Sequence, residues 1–137
     1  GLAAARAIGM LTYRGPEGYN RTQQDPPEGA AQHRAVTYQQ HQGNKLCRRY
    51  NAYSYVTILD AFDTHDIGRG GLQAVFNTLT MPVTVVGITT DIIFTPAEMR
   101  LLASRLPNAK YYEIDSPMGH DGFLVEHVQL NRILTQQ

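Results

Sequence analysis

The strongest constraint on the fold is a continuous apolar, β-branched run at residues 82–88, which a capped helix follows. The run reads Pro82-Val83-Thr84-Val85-Val86-Gly87-Ile88, and such runs are typical of a strand buried on both faces of a parallel sheet. The stretch Thr95-Pro96-Ala97-Glu98 combines an N-cap Thr, a Pro at the first helical position and a Glu three residues after the cap, which is a capping box. The pattern predicts an α/β fold in this part of the chain.

A second strand and a closing helix complete the α/β pattern. Residues 109–114 are predicted to form the strand, and a loop at residues 115–119 follows it. One amphipathic helix is then predicted from the spacing of Phe123, Leu124, His127, Val128, Leu130 and Leu134. Open parallel sheets place their ligands beyond the carboxyl ends of the strands. We therefore expect the loops carrying Asp91 and His120 to open on the same edge, so that these two side chains can meet.

The first half of the chain has a different character. Residues 1–11 are rich in Ala, residues 14–29 contain Pro16, Pro26 and Pro27 and are predicted to be a loop, and residues 30–62 are predicted to be helical throughout. We therefore divide the chain into a helical lid or cap segment, residues 1–76, and an α/β core segment, residues 77–137.

Charge and cysteine content exclude several functional classes. Twelve Lys and Arg balance twelve Asp and Glu, so no overall field attracts nucleic acid or a membrane surface, and neither is an expected partner. The apolar run at residues 81–88 is far shorter than the about 20 residues of a membrane span. Cys47 is the single cysteine, which favours a reducing compartment, and we expect a cytoplasmic protein. The chain starts at Gly1, inside a helical pattern and without Met, so we expect an internal start.

Asp91 and His120 have the residue types of the acid and base of a catalytic triad. A carboxylate on the far nitrogen of a histidine holds one tautomer and stabilises the imidazolium. The alternative is that Asp91 caps a turn and His120 caps the last helix. No Gly-x-Ser-x-Gly motif occurs in residues 1–137, and Cys47, like the serines, lacks the preceding strand of a nucleophile elbow.

Two further sets of side chains allow a binding role and a structural one. Arg6 and Tyr13 lie about two turns apart on one helix face, where they can bind a carboxylate, or be a solvated Arg and a half-buried Tyr. Asp63, His65 and Asp66 carry metal-ligand chemistry, but no second cluster accompanies them, so we expect a helix end followed by the Gly68–Gly71 turn and no metal site. A core position or an interface of helices is predicted for the aromatic residues Tyr38, Tyr50, Tyr53, Tyr55 and Phe62, whose arrangement fits a dimer or lid surface.

Five stretches of the chain, in order, resemble the homoserine O-acetyltransferase family of the α/β-hydrolase superfamily. They are residues 1–6 with 11–14, 48–55, 63–70, 86–94 and 114–124; the last contains Gly119-His120-Asp121-Gly122. The resemblance is to the C-terminal part of that fold, namely its last two parallel strands and their helices preceded by a helical lid. The half that bears the nucleophile is not among the matching stretches.

The resemblance implies a function and a role for each matching residue. The family reaction is ping-pong transfer of an acetyl group from acetyl-CoA, through an acyl-serine, to the hydroxyl of L-homoserine in methionine biosynthesis. It implies Asp91 and His120 as triad members, Arg6 and Tyr13 as ligands of the homoserine carboxylate, and Asp121 as the ligand of its ammonium group. The serine is expected outside this chain, in the N-terminal half of the protein. Acetyl-CoA is then a co-substrate, no cofactor is permanently bound, and a homodimer through the lid is expected.

Departures from the family pattern leave other functions open. Asn51 stands where the family usually has Asp, and residues 16–31 match poorly. Within the family, serine or deacetylcephalosporin C is an alternative acceptor, and a succinyl group is an alternative to acetyl. Outside it, the alternatives are a serine hydrolase and a fragment without catalysis.

Overall fold

The computed structural model describes residues 1–135, which form eight α-helices and two strands. Their order is α1 (Leu2–Tyr13), α2 (Pro16–Gln23), α3 (Arg34–Arg49), α4 (Ala52–Asp63), α5 (Leu72–Thr78), β1 (Val83–Ile88), α6 (Pro96–Arg105), β2 (Ala109–Ile114), a 3₁₀ turn (Gly119–Asp121), α7 (Gly122–Val125) and α8 (His127–Thr135). Among these helices of residues 1–135, none combines the length and the apolar character that crossing a bilayer requires.

The two strands pair in parallel, as the sequence predicted. Their register runs from Val83 opposite Ala109 to Ile88 opposite Ile114. Val85 and Ile88 lie an odd number of positions apart and therefore face opposite sides of the sheet. Val85 belongs to one buried cluster and Ile88 to another. Because the strands end side by side, the loops that follow them leave from the same edge.

Helix α6 connects the two strands and begins with the predicted capping box. The Thr95 hydroxyl accepts a hydrogen bond from the Glu98 amide at 3.3 Å, and the Glu98 carboxylate accepts one from the Thr95 amide at 3.0 Å. Hydrogen bonds from the Thr95 hydroxyl and amide hold the pKa of Glu98 below its ordinary value. Reciprocal capping therefore fixes where the chain re-enters a helix after the Asp91 loop.

The prediction of a loop over residues 14–29 was wrong, because part of this segment is helix α2, Pro16–Gln23. Proline is well tolerated at the first helical position, where its missing N–H has no helical partner in any case. Pro16 occupies that position, with Gly15 as the N-cap and Glu17 in the first turn. Here proline starts a helix.

The prediction that residues 30–62 are helical holds except at the start and at one break. Helix α3 starts only at Arg34, and the chain is extended at Tyr50 and Asn51 before α4 begins. The Asn51 side chain accepts a hydrogen bond from the Ser54 amide at 2.8 Å, so this residue starts a new helix as its N-cap. An Asp in the same place has the same capping oxygen.

The predicted closing helix is two helices, α7 and α8, separated at Glu126. The backbone of Glu126 has φ −86° and ψ 49°, outside the helical region. Beyond the break, Leu130 and Ile133 pack on the cluster that contains Ile88 and Ile114. The change of direction brings the end of the described chain onto the sheet.

One contact packs two helices of the first half against each other, and a second joins this half to the sheet. In α3, a β-carbon at Gly43 would lie 3.0 Å from the β-carbon of Ala3, so α1 and α3 pack closely through small residues. Helix α5 spans the predicted boundary at residues 76 and 77, and Phe76 packs in one cluster with Val85 and Leu106. The boundary between residues 76 and 77 stays a prediction.

Candidate active site

The carboxylate of Asp91 is held rigidly in the turn that follows β1. Its Oδ1 accepts hydrogen bonds from the amides of Ile93 at 2.8 Å and Phe94 at 3.1 Å. Its Oδ2 lies 2.8 Å from Nδ1 of His120. The side chain is only 4% exposed. Both oxygens therefore have partners, and the direction of the carboxylate toward the imidazole is set by backbone groups.

His120 lies in the 3₁₀ turn after β2, with one ring nitrogen toward Asp91. An ionised carboxylate can only accept, so Nδ1 carries the hydrogen of this bond and Nε2 keeps a free lone pair. Within residues 1–135 no group hydrogen bonds to Nε2, and the side chain is 26% exposed. Phe94 and Phe123 flank the ring with centroids 5.4 Å away. An imidazole held in this way, with its second nitrogen accessible, can act as a general base.

Two threonines that the sequence reasoning did not select join the Asp91 loop to the His120 loop. The Thr89 hydroxyl accepts from the Ser116 amide at 3.1 Å, and the Thr90 hydroxyl donates to the Ser116 carbonyl at 2.6 Å. The Gly119 amide donates to the Thr90 hydroxyl at 2.9 Å. These bonds lock the loops in register. The sequence signal that could have indicated them is a pair of hydroxyl residues at the carboxyl end of β1, immediately before Asp91.

The His120 loop also packs tightly against the segment that follows α1. Gly119 has φ 65°, a conformation that glycine adopts without strain. A β-carbon at this position would collide with the amide nitrogen of Gly15 and lie 2.8 Å from the carbonyl carbon of Arg14. The Gly18 amide donates to the Pro117 carbonyl at 3.1 Å. We call this contact between residues 13–18 and 117–121 the α1–loop junction.

The three residues predicted to bind the substrate lie on the two sides of this junction. Arg6 and Tyr13 converge on α1, with the Arg6 guanidinium carbon 5.8 Å from the centre of the Tyr13 ring. The Tyr13 ring lies 6.1 Å from the His120 ring. Asp121 follows His120 directly, and its Oδ2 accepts a hydrogen bond from Nε of Arg14 at 3.1 Å. The roles predicted for these residues stay predictions.

Arg6 and Tyr13 line a cavity between α1, the end of α3 and the start of α4. Its volume is about 300 Å³, and its wall includes Arg6, Tyr13, Lys45 and Arg49. The ring of His120 does not line it. The cavity therefore adjoins the His120 ring through Tyr13 and has a basic wall, while the Asp91–His120 pair lies outside it.

The Asp63-Thr64-His65-Asp66 stretch forms the end of α4 and a turn. The Asp66 carboxylate accepts from the Gly68 amide at 2.7 Å, and the Arg69 guanidinium donates to the Thr64 carbonyl at 2.7 Å. Over residues 1–135, no three His, Cys, Asp or Glu side chains come together as candidate metal ligands. The turn that the sequence predicted is present.

No protein-family model matches the chain. A protein named homoserine O-acetyltransferase from Cyclobacterium marinum is 42% identical over 136 residues, which cover 98% of this chain and 39% of that relative. A crystal structure of homoserine O-acetyltransferase from Staphylococcus aureus matches 93% of this chain and 37% of its own, with 33% identity and a TM-score of 0.69. Esterase E22 is 16% identical with a TM-score of 0.76, and this likeness shows the fold alone.

These likenesses confirm the predicted fold class. The chain spans about two fifths of the length of the curated relatives it matches. Two parallel strands with their helices form only a small part of an α/β sheet, in keeping with that share. From the identity to the curated proteins and the shared fold, the chain is similar over nearly its whole length to part of the homoserine O-acetyltransferases and forms a portion of an α/β-hydrolase fold.

Proposed function

We propose that the protein containing this chain transfers an acetyl group from acetyl-CoA to the hydroxyl of L-homoserine, in methionine biosynthesis. The observation that carries the proposal is the bond of 2.8 Å between Asp91 Oδ2 and His120 Nδ1, in a chain similar to part of these enzymes. A base held in this way activates a hydroxyl nucleophile. No Gly-x-Ser-x-Gly motif occurs in the 137 residues, so the proposal places the nucleophilic serine on an N-terminal part of the same protein.

The proposed chemistry has two half-reactions that use the same base. Nε2 of His120 takes the proton of the serine hydroxyl while the serine oxygen attacks the thioester carbonyl. The C–S bond breaks, and the CoA sulfur leaves with the proton from the imidazolium. In the second half-reaction Nε2 takes the proton of the homoserine hydroxyl, whose oxygen attacks the acyl-serine. The serine oxygen leaves with that proton, and O-acetylhomoserine is released.

The proposed acceptor site uses charge at both ends of the amino acid. Arg6 and Tyr13 bind the carboxylate through charge-assisted hydrogen bonds, and Asp121 binds the ammonium group. The support is their position: Tyr13 lies beside the His120 ring, and Asp121 is the next residue in the chain. An acceptor held between these groups presents its hydroxyl to the base.

We further propose that the lid forms a homodimer interface. Helix α4 exposes large aromatic side chains, with Tyr53 87% exposed and Phe62 74% exposed. Large exposed hydrophobic side chains of this kind are typical of surfaces that bind another protein. Measuring the molar mass of the complete protein in solution tests this point.

The replacement His120→Ala in the complete protein tests the triad assignment. Removal of the base is expected to lower the rate of CoA release in the presence of homoserine by several orders of magnitude. The control is His41→Ala, which removes an exposed imidazole on α3. Near-normal turnover of the His120 variant excludes His120 as the base.

Acetyl-CoA incubated with and without homoserine separates a transferase from a hydrolase. A transferase releases CoA rapidly only when the acceptor is present, whereas a hydrolase releases it in both cases. Replacing homoserine by serine, or acetyl-CoA by succinyl-CoA, tests the acceptor and the donor. Faster turnover with either substitute would overturn that part of the proposal.

The replacement Arg6→Ala tests the carboxylate site. It is expected to raise the half-saturating concentration of homoserine far more than that of acetyl-CoA, because only the acceptor carries the carboxylate. Equal effects on both substrates contradict the proposed role of Arg6.

A further inference from the structure

We propose that Arg14 is a positioning residue for acyl transfer, because it fixes the carboxylate of Asp121 that binds the acceptor's ammonium group. The inference rests on the proposed function and adds a residue to it. It starts from the ion pair between Arg14 Nε and Asp121 Oδ2 at 3.1 Å, which joins residues far apart in the chain.

Arg14 is itself held on several sides. Its Nη1 donates to the Thr22 hydroxyl at 3.4 Å, and its guanidinium carbon lies 5.5 Å from the centre of the Tyr38 ring. The side chains of Arg14 and Asp121 are 20% and 19% exposed. A half-buried guanidinium with an ion pair, a hydrogen bond and an aromatic neighbour has one preferred orientation, and it transmits that orientation to the carboxylate.

The geometry leaves one carboxylate oxygen available for the substrate. Oδ2 of Asp121 accepts from Arg14, and within residues 1–135 no group hydrogen bonds to Oδ1. An ionised carboxylate accepts at both oxygens. The acceptor's ammonium group binds at Oδ1, on the side of the carboxylate away from Nε of Arg14.

The backbone couples both ends of the acceptor site. Arg14 stands between Tyr13, which faces the proposed carboxylate site, and Gly15, which packs against Gly119 in the α1–loop junction. The segment that places the Tyr13 ring therefore also places the guanidinium. One rigid contact sets the distance between the ligands of the two substrate charges.

Two opposing effects of Arg14 act on different kinetic constants. The positive charge of Arg14 disfavours binding of the ammonium group of homoserine, whereas the preoriented carboxylate of Asp121 favours it. These two effects offset each other in the half-saturating concentration of homoserine. Orientation, by contrast, determines whether the bound hydroxyl lies within reach of the base. A displacement of about 1 Å lowers a rate on the order of 10²-fold. The loss is therefore expected in the maximal rate and less in affinity.

The test uses Arg14→Gln and Arg14→Lys in the complete protein. Arg21→Gln is the matched control, because Arg21 is an exposed residue of α2. Acyl-enzyme formation is followed by CoA release in the first turnover, and transfer is followed by mixing the acyl-enzyme with homoserine. We expect Arg14→Gln to lower the transfer rate at saturating homoserine about 10- to 100-fold. The rate of acyl-enzyme formation and the half-saturating concentration of homoserine are expected to change less than about threefold. Arg14→Lys keeps the charge but not the planar fork, so it restores the rate only partly.

Two further measurements separate positioning from general damage. γ-Hydroxybutyrate has the carboxylate and hydroxyl of homoserine without the ammonium group, so transfer to it is expected to be insensitive to Arg14. In an Asp121→Asn background, Arg14→Gln is expected to cause little additional loss, because the group that it orients is gone.

The possible outcomes distinguish this inference from the proposed function. A wild-type protein that forms no acyl-enzyme overturns the proposed function. A wild-type protein that transfers acetyl normally, with an Arg14→Gln variant that does the same, overturns only the role of Arg14. The role of Arg14 is also overturned if Arg14→Gln slows both half-reactions equally, or if it slows transfer to γ-hydroxybutyrate as much as transfer to homoserine.

Discussion

The replacement Asp91→Asn tests the orienting role proposed for Asp91, since it exchanges one carboxylate oxygen for an NH₂ group and keeps the shape of the side chain. The amides of Ile93 and Phe94 both donate to Oδ1. They require an acceptor there, so the amide oxygen of the new Asn occupies that place. Its NH₂ group then stands where Oδ2 lies now, 2.8 Å from Nδ1 of His120.

The tautomer of the histidine reverses in this variant. An NH₂ group only donates, so Nδ1 must accept and the ring proton moves to Nε2. The nitrogen that faces the substrate then has no lone pair to take a proton. The same change in a Ser-His-Asp enzyme lowers kcat about 10⁴-fold, which corresponds to about 5 kcal/mol of transition-state stabilisation.

The assay is the steady-state release of CoA from acetyl-CoA by the complete protein with saturating homoserine. Asp60→Asn is the matched control, because Asp60 lies on the exposed surface of α4. Thermal unfolding is expected to change little, since the two backbone hydrogen bonds persist. A loss of less than about tenfold in kcat would refute the tautomer reasoning.

Other predictions concern stability. Gly119→Ala forces φ 65° on a residue with a β-carbon and drives that carbon into Gly15, so a loss of about 2–5 kcal/mol in unfolding free energy is expected by urea titration; unchanged stability would contradict the packing of the α1–loop junction. Asn51→Ala removes the cap of α4 and is expected to cost about 1 kcal/mol in the same titration, whereas Asn51→Asp retains it. Hydrogen bonds from Thr95 hold the pKa of Glu98 below its ordinary 4.5, so this contribution to stability is present above that pH and is lost as the pH falls below it. Glu98→Gln is therefore expected to weaken the acid dependence of the unfolding free energy, and an unaltered dependence would exclude the capping carboxylate as its source.

The elements that local chemistry specifies were predicted well. Strands β1 and β2 follow from β-branched and apolar residues, and α6 follows from its capping box, because each of these signals lies within a few neighbouring residues. The errors lie where one residue type has two structural uses. Pro16 was interpreted as a loop former and is a helix start, and Asn51 interrupts a helical pattern because its side chain caps a new helix.

The contacts that complete the candidate site were not predictable in the same way. Thr90 reaches Ser116 and Gly119, and Arg14 reaches Asp121. Each contact joins segments distant in the chain, and neither partner has a local pattern that marks the other. The docking of α1 against the loop after β2 decides them.

By itself, the sequence determined the parallel α/β pattern, the presence of a carboxylate and an imidazole at Asp91 and His120, and the edge of the sheet from which their loops leave. The spacing of apolar residues and the capping of helices are local properties of the sequence. A parallel pair of strands also leaves few ways to arrange the loops at its carboxyl end. Only the tertiary structure decided that a bond of 2.8 Å joins Asp91 to His120 and that Arg14 occupies one oxygen of Asp121. Those distances depend on how closely the glycines of the α1–loop junction let two backbones approach, and packing of this kind is settled only when the whole fold is assembled.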